Sequence, residues 1–196
     1  MEKRIDPGAT ITNVMEKRWS PRAIVGPVPP KSTLLNILEA ARWAPSAFNE
    51  QPWVFFVATA DEPDEFQKAL DCLVPGNKQW VKNAPVILFG ITKNTFDREH
   101  APNPLALFDL GLAVENLLLE TVNHGLVAHP MSGFSSEAVR QIYDIPSGYD
   151  PRIAIALGHL GNPQSLEEPL LSMEKSERSR KNVADFTFTK TWGKSF

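Results

Sequence analysis

Two cationic clusters at opposite ends of the chain carry the clearest chemical signal. Near the start, KRWSPR sets Lys17, Arg18 and Arg22 around Ser20; near the finish, EKSERSRK supplies Lys175, Arg178, Arg180 and Lys181. Guanidinium groups grip phosphate oxygens bidentately through charge-assisted hydrogen bonds, so the two clusters, folded together with a hydroxyl, would suit a phosphate. Left apart, they are solvated charge runs. A second polar group lies in APSAFNEQPW, where Ser46, Asn49 and Gln51 stand between the helix-stopping Pro45 and Pro52. A primary amide carries a donor and an acceptor, so Asn49 and Gln51 together could read an edge that alternates acceptor, donor, acceptor, as the pyrimidine edge of a flavin does. Capping of neighbouring backbone is the commoner use of such amides. The third piece is HPMSGF, where a strand leads into a turn with Ser132 and Gly133 and a helix follows. Backbone N–H groups there can face an acceptor, and glycine admits a flat ring; a plain strand-to-helix turn uses the same residues.

Other catalytic signatures are missing. The sequence has no G-x-G-x-x-G, P-loop, G-x-S-x-G or H-E-x-x-H. His100, His124, His129 and His159 are scattered without metal-ligand spacing, and no metal is assigned. The lone Cys72 has no partner for an intramolecular disulfide and reads as a reduced thiol of a cytoplasmic protein. A net charge of −3 offers no basic field for nucleic acid or anionic membrane. The first fourteen residues lack an apolar leader, and the most apolar long segment, LALFDLGLAVENLLLE, is interrupted by Asp109, Glu115, Asn116 and Glu120, so export and membrane spanning are not expected.

The elements that must hold these residues follow from hydrophobic periodicity. Leu34, Ile37, Leu38 and Ala41 line one face of a helix over 32–43. Further helical patterns run over about 64–73, 104–123 and 135–143, the last entered through Ser135 or Ser136 as N-cap. WVFFVAT and PVILFGIT read as buried strands, and GLVAHPM and PRIAIALGH are two more. ADFTFTKTWGKSF alternates like a terminal edge strand. The helix around Gly111 is apolar almost all round, which predicts burial on most sides, with glycine accommodating either ordinary helix packing or close approach of another backbone or a flat ligand. With 196 residues and interleaved helices and strands, the length favours one domain, 1–196, of α/β or α+β type.

In combination, RWSPR, ILEAARWAPSAFNEQPW, WVKNAPVILF, DLGLAVENLLLETVNHGLVAHPMSGF and RSRKNVADFTFTKTWG resemble the motifs of the nitroreductase family of FMN-dependent oxidoreductases, across nearly the whole chain. Trp19 is bulky within the first motif, and Asn182 stands where many relatives carry proline. The resemblance implies an α+β fold with a central mixed, mostly antiparallel sheet flanked by helices, and a C-terminal strand extending to the partner subunit. It implies a homodimer with FMN at the subunit interface. Arg18, Trp19, Ser20 and Arg22 would serve the phosphate and ribityl end, joined by Arg180 and by Arg178 or Lys181. Pro45, Ser46, Asn49 and Gln51 would approach the flavin from the other subunit, Pro130, Met131, Ser132 and Gly133 would lie near its reactive edge, and Asn77 is a further candidate.

No catalytic acid or base is called for, because the cofactor carries the chemistry and the protein supplies position and electrostatics. The implied activity is ping-pong: NADH or NADPH gives hydride to FMN N5, and a nitroaromatic, quinone or similar small-molecule acceptor then takes it. Residues 61–81 and 94–104 would border the substrate entrance, where Trp80, Phe96 and Phe108 could stack an aromatic acceptor or pack the core or interface. A protein that stores FMN without turning over is the alternative.

Overall fold

The computed structural model describes residues 3, 8, 10–98 and 100–196. Half of the N-terminal stretch read above for a leader, and Glu99 in the loop 94–104, lie outside the described residues. The first elements are a short helix α1, Asn13–Lys17, and a two-residue strand β1, Ile24–Val25. Helix α2, Lys31–Arg42, follows, then the 3-10 turn Ala47–Asn49 and strand β2, Trp53–Thr59. Helices α3, Pro63–Asp71, and α4, Pro75–Val81, lead to strand β3, Val86–Lys93. The long helix α5, Ala106–Asn123, precedes strand β4, Val127–Met131, helix α6, Ser136–Ile142, strand β5, Tyr149–Leu160, and helix α7, Leu170–Lys175. The Ser135 hydroxyl accepts from the Ala138 N–H and is the N-cap of α6.

The strands form one sheet in the order β1-β5-β3-β2, with β4 also paired to β5. Every strand pairing among the described residues is antiparallel. Alternation on its strands builds two cores. Ile87, Phe89 and Ile91 of β3, with Ala154 and Ala156 of β5, face the layer of α3, α4 and α6. Val86 and Leu88, with Ile155 and Leu157, face α2 and α5. Because both faces are covered, these strands read in the sequence as unbroken apolar runs.

Within the single chain the tail is not paired to the sheet: it holds a 3-10 turn, Val183–Asp185, and one isolated bridge between Phe188 and Ser195. A strand needs a neighbour for its N–H and C=O groups, and within one chain the tail folds back only on itself. Helix α5 is not buried on most sides. It buries Leu110, Ala113, Val114, Leu117 and Leu118 but leaves Leu107, Phe108 and Gly111 exposed, with open space around Gly111. The Asn116 amide donates to the Ala40 carbonyl at 3.1 Å and ties α5 to α2.

Candidate functional site

Residues 18–22 form neither helix nor strand, so their backbone groups must find partners elsewhere, and side chains distant in sequence supply them. His129, in β4, shares a 2.8 Å hydrogen bond between its Nδ1 and the Pro21 carbonyl, for which the ring must carry its proton on Nδ1. Burial, assisted by Arg22, holds the His129 pKa down at about 4, so the ring is neutral near pH 7 and stacks on Trp80 with centroids 4.8 Å apart. The Glu174 carboxylate, 2% exposed, accepts from the Arg22 N–H at 2.9 Å and the Ala23 N–H at 3.2 Å. Arg178 donates to the carbonyls of Glu16 at 2.5 Å, Arg18 at 2.7 Å and Lys3 at 3.3 Å.

The two cationic clusters therefore converge. Arg178 is lowered in pKa by burial and by the nearby positive charges of Arg18 and Arg180, and Lys3 by burial against the opposing pull of Glu174. Within the convergence the arginines divide. Arg178, expected among the phosphate ligands, spends its guanidinium on backbone carbonyls and acts as a clamp between the chain ends. Arg22 is half-buried, and neither its guanidinium nor the Ser20 hydroxyl has a hydrogen-bond partner among the described residues. Arg18 has only a long 3.9 Å ion pair with the exposed Glu115. Arg180 is exposed and bonds the neighbouring Ser179 carbonyl, and Lys181 is exposed. Trp19 is half-buried under the Lys3 ammonium, 4.4 Å from its ring centroid. A cavity of about 450 Å³ borders Trp19, Val122, Leu126 and Leu160, but Arg18, Ser20, Arg22 and residues 130–133 do not line it.

His129 immediately precedes the second piece, so its bond to Pro21 sets Pro130–Gly133 beside the arginine segment. The turn is pinned from behind by α4: the Asn77 amide donates to the Gly133 carbonyl at 2.9 Å, as does the Val74 N–H at 3.1 Å. A Cβ on Gly133 would meet Asn77 Nδ2 at 2.5 Å and Val74 Cγ2 at 2.9 Å, so the turn requires glycine for this close approach. Asn77 supports the turn from within the protein, while Ser132 is exposed and Met131 buried.

The loop 45–51 stands apart from both. Phe48, Asn49 and Gln51 have φ of 56°, 57° and 51°, a left-handed region that non-glycine residues rarely occupy. Asparagine tolerates it best of these; the others are held by local bonds. Ser46 Oγ accepts from the Gln51 N–H at 2.9 Å, and the Gln51 amide donates to the Asn49 carbonyl at 3.1 Å. Gln51 thus braces the loop. The exposed Asn49 side chain makes no hydrogen bond among the described residues, and Pro45 is exposed beside it. The loop is moored to α5 where buried Asp109 accepts from the Ala47 N–H at 3.2 Å. Asp109 and Glu115, which meet the loop and Arg18 respectively, are six residues apart, about 9 Å along the helix and about 120° around it. The two pieces therefore leave α5 in different directions.

Of the aromatic residues considered for stacking, Trp80 is 1% exposed and belongs to the core. Phe96 meets Phe48 edge-on at 5.9 Å, and Phe108 is 65% exposed. Sequence reasoning missed Glu174, Asp109 and the role of His129. No spacing announces them, because each meets its backbone partner from 62 to 152 residues away.

The profile described as Nitroreductase family matches residues 15–159. An uncharacterised 15.4 kDa protein of Mycolicibacterium smegmatis is 31% identical over 134 residues, covering 68% of this chain and 89% of its own. A Streptomyces coelicolor protein, provisionally named NADH dehydrogenase/NAD(P)H nitroreductase, is 28% identical over 73% of this chain and 80% of its own. Among solved structures, an oxidoreductase containing FMN superposes with a TM-score of 0.90 at 33% identity, covering 100% of this chain and 98% of that one. The chain belongs to the nitroreductase family.

Proposed function

We propose that this chain is an FMN-dependent oxidoreductase of the cytoplasm that passes hydride from NADH or NADPH to a nitroaromatic, quinone or similar electrophile, working as a homodimer with FMN between subunits. The observation that carries this reading is the half-buried Arg22 guanidinium, which has no hydrogen-bond partner among the described residues and is held by fixed backbone beside the Pro130–Gly133 turn. A cation kept in that state is a donor set awaiting an anion, and the FMN phosphate fits it with Ser20 and Arg18 alongside. The relatives named for FMN and NAD(P)H support the choice of cofactor and donor.

Bound FMN would supply the hydride chemistry; the chain's own residues bind and orient it. Arg18, Ser20 and Arg22, with Arg180 from the far end, would hold the phosphate and ribityl chain, and a guanidinium near the pyrimidine ring would offset negative charge on reduction. The Pro130–Gly133 turn would lie against the ring edge, its glycine keeping the backbone close. Asn49, moored on another face of α5, would reach a flavin held by the partner subunit, which explains why its amide is unspent in one chain. Exposed Leu107 and Phe108 on α5, and the tail with Phe186, Trp192 and Phe196 61%, 93% and 95% exposed, support a partner of the same kind, since large apolar side chains left exposed are what an interface covers.

Anaerobic mixing of the purified yellow protein with NADH and with NADPH should bleach the flavin absorbance, and an acceptor panel of nitroaromatics and quinones should restore it. Protein that stays colourless when FMN is added refutes the reading; a yellow protein that neither nicotinamide bleaches points instead to FMN storage.

A further inference from the structure

Glu174 is a carboxylate at 2% exposure, and both of its hydrogen bonds go to consecutive backbone N–H groups, those of Arg22 and Ala23, more than 150 residues earlier in the chain. Burying a carboxylate is expensive unless its lone pairs are met, and charge-assisted bonds to two amides meet them. The Arg22 N–H is one bond from the Cα that carries the guanidinium chain. The segment has no secondary structure of its own, so its path is set by side-chain anchors: Glu174 after Pro21, His129 at Pro21 and Arg178 before Trp19. We propose that Glu174 is a positioning residue for phosphate recognition, acting through the Arg22 backbone to hold Arg22 and Ser20 where the FMN phosphate binds. This rests on the FMN reading above.

A carboxylate suits the task because the two amides both donate, and a carboxylate presents two acceptors. In Glu174→Gln the side chain keeps its length but offers one oxygen and an NH₂ group, so one of the amides faces a donor. The segment must then shift at Arg22, and a misplacement of the order of 1 Å is enough to weaken a bidentate contact severely. The effect should be confined to the phosphate end of the ligand. The isoalloxazine ring is served by the 130–133 turn and the loop 45–51, neither of which touches Glu174 among the described residues.

The test is to titrate apoprotein with FMN and with riboflavin, which lacks the phosphate, following quenching of flavin fluorescence. Glu174→Gln should weaken FMN by about tenfold and riboflavin by less than twofold, the size of one charged hydrogen bond lost. In an Arg22→Ala background the same change should have no further effect on FMN, because Glu174 acts through Arg22. Glu174→Asp keeps the charge on a shorter stem and should give an intermediate ratio of FMN to riboflavin affinity; it carries the test if Glu174→Gln does not fold. Equal weakening of both flavins, or undiminished FMN binding, overturns the positioning role while leaving the FMN reading standing. Wild-type protein that binds neither flavin overturns both.

Discussion

Replacing His129 with asparagine should flatten the loss of stability that acid imposes on this protein. In the folded chain the ring is wedged between the Trp80 indole, the Pro21 carbonyl and the positive charge of Arg22, and burial first, then Arg22, lowers its pKa from 6.5 to about 4. The unfolded chain takes up a proton as pH falls through 6.5, whereas the folded one does so only near 4, so between these values the unfolded state binds more protons and stability falls with pH. The full effect is present above 6.5 and is lost progressively toward 4, a difference of about 3 kcal/mol between the two protonation states. By pH 5 the loss relative to pH 7 comes to about 2 kcal/mol. With a urea dependence of about 2 kcal/mol per molar, the unfolding midpoint should drop by about 1 M. Asparagine keeps a donor near the Pro21 carbonyl and cannot be charged. His129→Asn should therefore be less stable at pH 7, through the lost stacking on Trp80, yet show a midpoint about 1 M less sensitive to pH across this window. Carboxylates titrate alike in both proteins and cancel in the comparison. Equal acid sensitivity in the two would refute the assignment of His129 as a buried neutral ring.

Arg178→Ala removes the donor shared by three carbonyls at the junction of the chain ends and should lower stability by about 1–3 kcal/mol in thermal or urea unfolding, whereas Arg180→Ala should leave stability within about 0.5 kcal/mol and weaken FMN. The reverse assignment of effects would mean that Arg178, and not Arg180, faces the ligand. Gly133→Ala forces a Cβ against Asn77 and Val74 and should cost about 1–3 kcal/mol with weaker flavin binding; Asn77→Ala in the same chain should recover part of the stability by making room, as read by unfolding midpoints.

Much of this molecule could be read from local pattern, because the information is local. Strands β2, β3 and β5 are apolar runs closed by prolines and polar turns, helix α2 has its apolar stripe, and Ser135 caps α6 through a contact three residues long. The residue types of the proposed phosphate and ring site are legible for the same reason: arginines, a hydroxyl, loop amides and a glycine turn each have chemistry that survives without coordinates. Strand β1, two residues long, has no period to detect, and the tail alternates like a strand while pairing, within one chain, through the single Phe188–Ser195 bridge.

What tertiary structure alone decided is which of several equivalent groups is left for a ligand. Arg22 and Arg178 are indistinguishable by type, yet among the described residues one is held by its backbone with its guanidinium unspent and the other is consumed by carbonyls at the opposite end of the chain. Asn49 and Gln51 are likewise matched amides, of which one braces the loop and the other makes no side-chain hydrogen bond among the described residues. The difference lies in hydrogen-bond partners that Glu174, His129 and Asp109 bring from 62 to 152 residues away. A sequence states what each side chain can donate or accept; only the folded chain determines which of those bonds are already made.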